Sequence, residues 1–137
     1  MKDRLSTREL LRRRNMEMPD YTCVCCIQQM DESSTHLFIH CPFAQSFWGL
    51  FGLLVDQDDA FATLEQFKIQ LHVPFFMEII IVMSWCIWMQ RNDFIFRGIQ
   101  LTQDACWQHF KKEFALVILR ANPRKKPLMS SWLEVFV

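Results

Sequence analysis

Glycine and proline are scarce in this chain, 3 and 5 among 137 residues, and there is one tyrosine. A β-sandwich or barrel turns roughly every 8–12 residues and draws on such residues to do so, so the composition points to helices. Charge of either sign is also missing in excess: 15 Lys and Arg stand against 15 Asp and Glu, a formal net charge of zero. A protein that grips nucleic acid mainly through phosphates carries surplus basic residues, so tight phosphate-driven binding is not expected of the chain as a whole. No apolar run suits a bilayer. The longest, 75–89, is interrupted by Glu78 and Ser84 and covers about 15 residues where a crossing needs ~20. No apolar signal-like stretch follows Lys2, Asp3 and Arg4, so the expected location is intracellular, nuclear or cytoplasmic. The six cysteines are then expected as free thiols or metal ligands, not as a disulfide framework. A Gly-rich phosphate loop is absent too.

What is abundant is apolar volume: 51% hydrophobic residues, with 13 Phe and 5 Trp, enough for the core of one domain with a small appendage. Against that background four residues stand out. Cys23 and Cys26 are separated by two residues, and His36 and Cys41 by four. Three thiolates and an imidazole form a complete tetrahedral set for Zn²⁺, with no position left open for a substrate. The stretch between them is too short and polar to fold by burying apolar surface, so metal binding is expected to order it. Structural zinc in small peptides contributes about 10–16 kcal/mol near neutral pH, ample for that purpose. Cys25 and His40 lie beside Cys26 and Cys41, so alternative ligand sets can be drawn from the same residues.

Along the chain the spacing predicts a mainly α protein, a small helical bundle with a zinc-stapled N-terminal region. Residues 1–20 read as a basic helical lead-in, with a short helix over 3–15. Residues 21–55 form the zinc-binding module, in which 22–26 and 27–30 suit a small hairpin, and Ser34 or Thr35 suits the cap of a turn presenting His36. Pro42 fits the first position of a helix over 42–54, whose Phe43, Phe47, Leu50, Phe51 and Leu54 recur at helical spacing. A bundle over 56–122 follows. Asp59 caps 60–71; a helix over 75–97 is apolar on nearly every side through Met89, then turns Arg91, Asp93 and Arg97 outward against Phe94, Ile95 and Phe96. Gly98 ends it, Thr102 caps 103–121, and 123–137 reads as a basic mobile tail.

The string from Ser33 to Trp48, preceded by Cys-Val-Cys-Cys, resembles the zinc-binding domain that follows the reverse transcriptase of plant LINE-type (non-LTR) retrotransposons and occurs in free-standing derived proteins. The pattern carriers are Cys23 and Cys26, the acidic Asp31 and Glu32, His36-Leu37-Phe38, Cys41-Pro42 and Trp48. Two flanks are similar as well: Asp3-Arg4-Leu5 with the basic residues after it, and the Trp-x-Ile-Trp, Arg-Asn and Ile-Phe positions of 85–96. The similarity spans roughly 2–97. It implies association with nucleic acid inside a replication machine. The chain departs from a polymerase in having no Tyr-x-Asp-Asp, its lone tyrosine being Tyr21, and no spaced acidic set of a ribonuclease H.

No catalytic constellation emerges elsewhere, so the chain is not expected to be an enzyme or to bind a small-molecule substrate. His72 and His109 stand alone near apolar neighbours and read as packing or surface residues; Asp56, Asp58 and Asp59 read as a solvated loop. Cys86 and Cys106 fall on apolar helix faces and read as core. The aromatic residues of 75–96 read as core, not as a base-stacking surface. Phosphate contacts are credible only at 8–14, with Arg12, Arg13 and Arg14 as candidates, and at 124–126. Three to six such contacts give roughly micromolar, salt-sensitive binding without sequence preference. The expected partner is therefore RNA or DNA, held weakly. A zinc-stabilised module for protein contact, favoured by the zero net charge and the aromatic content, is the rival reading, and a retroelement remnant without selected activity is a third.

Overall fold

In the computed structural model the described residues are 7–9, 22–25, 30–56 and 58–135. They form a π-helical turn (His36–His40) followed by five α-helices: α1 (Pro42–Gly49), α2 (Ala60–Leu71), α3 (Phe76–Arg97), α4 (Gln103–Arg120) and α5 (Lys126–Val135). Among the described residues there is no strand, only an isolated antiparallel bridge between Thr22 and Asp31. The mainly α architecture follows the composition. No helix among the described residues is long and apolar enough to cross a membrane.

The helix boundaries are set by local chemistry. Asp59 accepts from the Ala62 amide at 3.0 Å and Thr102 from the Ala105 amide at 3.1 Å, so both predicted N-caps are in place. Gly98 takes a left-handed conformation (φ 65°) that closes α3, as a glycine after a last helical turn can do without a Cβ clash. Pro42 opens α1.

α1 is shorter than the predicted 42–54. It stops at Gly49, and Gly52 at φ 75° turns the chain so that Leu53 N reaches back to Trp48 O at 3.1 Å. The turn carries Phe51 and Leu53 into the core, which a continued helix would not do for both. The predicted tail also proves wrong. Asn122 accepts the amides of Arg124 on its side chain and Lys125 on its carbonyl, starting α5 with Pro127 in its first turn. Met129 is buried, and Trp132 packs on Phe51, Phe75, Phe110 and Phe114 with ring centroids 5.3–6.2 Å apart. Met129, Trp132 and Leu133 repeat at helical spacing, so burial of that stripe outweighs the basic, proline-containing start.

α3 and α4 pack along each other, α4 also meets α1 and α5, and α2 lies on α3. The π turn packs on α1 and α3. One contiguous core runs through Cys23, Leu37, Phe38, Trp48, Phe67, Ile79, Met83, Ile87, Phe110 and Met129. Cys86 and Cys106 are buried in it, as expected, with the Cys106 thiol 3.9 Å from Met83 Sδ.

The reading of α3 needs two corrections. Its first part is not buried all round: Met77, Ile81 and Trp85 face outward. Arg91, expected on the wet face, is 3% exposed, whereas Phe94 and Phe96 are exposed. The reason is the buried carboxylate of Glu32, which draws the guanidinium inward.

Candidate metal centre

Three of the four predicted ligands converge. The donor atoms of Cys23, His36 and Cys41 lie within 4.8 Å of one another, and all three residues are buried. The fourth, Cys26, lies outside the described residues, as do Arg12, Arg13 and Arg14. Cys23 follows the Thr22–Asp31 bridge, where its amide donates to Met30 O at 2.8 Å, the closing bond of a hairpin-like return.

His36 and Cys41 are brought together by the π turn. On an α-helix residues five apart point about 140° away from each other, at 100° per residue. Here the chain closes instead through an i→i+5 bond, Cys41 N to His36 O at 2.6 Å, which adds one residue to the turn and realigns the two side chains. Ser33, not Ser34 or Thr35, caps the helical segment: its Oγ accepts from His36 N at 3.0 Å and its carbonyl from Leu37 N at 2.9 Å. A hydroxyl three residues before the histidine reaches its orphan amide, the usual N-cap to N3 bond. The Trp48 indole N–H donates to Phe38 O at 2.7 Å, satisfying a carbonyl of the π turn and pinning α1 to it.

The spacing fits a tetrahedral ion. Sulfurs bound at about 2.3 Å to a tetrahedral zinc stand about 3.8 Å apart; Cys23 Sγ and Cys41 Sγ are 3.9 Å apart, far beyond a disulfide. Of the two neighbouring residues, Cys25 lies against Cys23, its amide 3.4 Å from Cys23 Sγ and its side chain hydrogen-bonded to that thiol, and His40 has its Nε2 3.0 Å from Asp58 O. Neither joins the convergent group.

The electrostatics of the site suit a cation. The Cys23 thiol is pushed up to about 12, chiefly by its hydrogen bond with the Cys25 side chain, with burial adding to the effect. The Cys41 thiol is pushed up further by its contact with Cys23 and by burial, against the amides of Phe43 and Ala44 at the start of α1. Burial holds the His36 imidazole below its usual value, helped by His40 and opposed by Glu32. The lowered imidazole favours its neutral, ligating form, and thiols held up in this way release their protons on binding a metal.

The sequence reading missed what anchors this site. Glu32 is fully buried, and Arg91 grips it as a fork: Nε to Oε2 at 2.9 Å and Nη2 to Oε1 at 2.5 Å. The fork is held in turn by Asn92 Oδ1, 2.7 Å from Nη1, and by the Trp88 ring, 4.7 Å from the guanidinium carbon. The Arg8 amide donates to Glu32 Oε1 at 2.8 Å and the Glu9 amide to its carbonyl at 2.9 Å. Glu32 thus joins the lead-in, the metal region and α3. The Trp-x-x-Arg-Asn run was visible in the sequence, but only as part of a resemblance. Of the lone histidines, His72 takes the left-handed position ending α2, and His109 meets Glu113 at 3.4 Å on α4.

No curated protein and no solved structure matches the chain. The family model described as zinc-binding in reverse transcriptase matches residues 1–48, the part of the chain that carries the four predicted ligands.

Proposed function

We propose that this protein is a structural-zinc module descended from a retrotransposon reverse transcriptase, acting by binding and not by catalysis. The observation that carries this is the convergence of three buried donors, Cys23, His36 and Cys41, at tetrahedral spacing. A metal enclosed there, with Cys26 as fourth ligand, meets no substrate and serves to fold the region around it. Nucleic acid is the first partner, held weakly through Arg12, Arg13 and Arg14 and through the exposed Arg124 and Lys125 before α5. The family match supports this, since a reverse transcriptase works on RNA and DNA.

Gel-shift titration against single-stranded RNA and DNA at several salt concentrations tests it, after metal analysis has shown one zinc per chain. The expected result is micromolar binding that weakens with salt and with the Arg12→Ala/Arg13→Ala/Arg14→Ala variant. No binding at low salt by zinc-loaded protein overturns the nucleic-acid assignment. A second reading, protein contact, draws support from a separate observation: the exposed apolar side chains on the outer face of α3.

A further inference from the structure

The outer face of α3 carries exposed apolar residues. Ile81 is 59%, Trp85 48% and Phe96 76% exposed, with Met77 exposed beside them and Trp88 half-buried. Between α2 and α3 this face continues into an open groove of about 380 Å³ lined by Phe38, Leu64, Met77, Ile81, Trp85 and Trp88. At roughly 150–250 Å² per aromatic side chain, these residues leave on the order of 500–600 Å² of apolar surface in water. That is the upper end of what single-chain proteins expose, and approaches the ~800 Å² per partner of a stable pair once a polar rim is added.

We infer that this face pairs with a second copy of the chain, α3 packing antiparallel on α3 about a two-fold axis between Cys86 and Ile87. The inference rests on the protein-contact reading above and names its partner. The first argument is self-complementarity, which an isologous interface demands. The outward positions 81, 85, 88 and 92 alternate by four and three residues, the seam of two helices crossing at a shallow angle. Rotated about the axis, Trp85 meets Trp88 of the second copy, Ile81 meets Asn92, and Met77 meets Phe96. Every large exposed apolar residue of the stripe thereby gains an opposing side chain. The second argument is charge. The net charge is zero, so nothing in the overall balance drives two copies apart. The antiparallel arrangement also opposes the two helix dipoles.

Sedimentation velocity on the zinc-loaded full chain, from low to high micromolar, tests this. The expected result is a concentration-dependent dimer. Trp85→Glu, at the centre of the seam, raises its dissociation constant by about a hundredfold or more, with helix content and zinc stoichiometry unchanged. Register is tested at the ends: Met77→Lys and Phe96→Glu each weaken the dimer, and the double variant recovers it by placing the new charges opposite each other. A chain that stays monomeric throughout, or a dimer indifferent to Trp85→Glu, overturns the inference. Binding of an environment-sensitive apolar dye separates this from the broader reading. A monomer whose dye binding is abolished by Trp85→Glu keeps the protein-contact reading and loses only self-pairing; a monomer that binds no dye loses both.

Discussion

Replacing Arg91 with methionine keeps the apolar stem and removes the fork. In the wild type both oxygens of a carboxylate with no solvent exposure are satisfied, Oε2 by Arg91 Nε and Oε1 by Arg91 Nη2 and the Arg8 amide. The variant strands Oε2, and with it a buried negative charge. Breaking a buried pair by removing one partner costs about 3–5 kcal/mol, and the lost stacking on Trp88 adds about 1 kcal/mol. Set against the 5–15 kcal/mol typical of a domain, that is a large share of the total. Glu32→Leu strands the guanidinium instead and costs a similar amount. The double variant buries no charge and loses mainly the hydrogen bond from the Arg8 amide to the Glu32 carboxylate, about 1–3 kcal/mol. The double variant should therefore be more stable than either single one. Urea unfolding followed by tryptophan fluorescence at fixed free zinc measures the cycle, since free metal would otherwise shift the apparent stability. If the two single costs simply add in the double variant, the pair is not coupled and the account of the junction fails.

Cys41→Ser should lose the metal and the order of the region around it; equal metal content in variant and wild type would refute the ligand assignment. Zinc affinity should rise with pH. Cys23 and Cys41 are both held above the ordinary thiol range and each releases a proton on binding, while His36, held below its usual value, is already neutral. Those two thiols alone make the apparent affinity climb about a hundredfold per pH unit near neutrality, and competition with a chromogenic chelator at two pH values reads the slope. Met129→Ala removes a buried side chain on α5 and should cost about 2–4 kcal/mol in thermal or urea unfolding. A negligible cost would mean that α5 is not docked.

The parts of this molecule legible in the sequence are those governed by short-range chemistry. Asp59 and Thr102 accept amides three residues ahead, Pro42 fits a first turn, and Gly98 takes a backbone conformation that favours glycine; each depends on a few neighbours. The convergence of Cys23, His36 and Cys41 was legible because the donor chemistry of zinc is restrictive. What escaped depends on distant partners. Arg91 follows an apolar run, where a charge ordinarily marks the wet face, and only a carboxylate 59 positions earlier draws it in. α5 escaped because its basic start hid a stripe that has meaning only against Phe51, Phe75 and Phe114. The π turn could have been found from the His-x₄-Cys spacing, since an α-helix cannot aim both side chains at one ion.

The π turn and the buried ion pair make the metal region part of the helical core and not an appendage to it. A one-residue expansion of a helix costs backbone regularity, and here the cost is offset on both sides of the turn. The Phe38 carbonyl finds the Trp48 indole, while Leu37, Phe38 and Ile39 are buried in the same core as Phe47 and Ile80. The same five residues that align two ligands thus also seat three side chains in the bundle. Four residues before His36, Glu32 is fastened to α3, so the ligand cannot shift far without disturbing the fork. The convergence of Cys23, His36 and Cys41 is in this sense specified twice, by the metal chemistry of the donors and by the apolar and ionic contacts that place them. A small isolated zinc motif has only the first. The aromatic cluster around Phe110 and Trp132 includes none of the three convergent donors, so the bundle keeps a packed centre of its own, apart from the segment that carries the site.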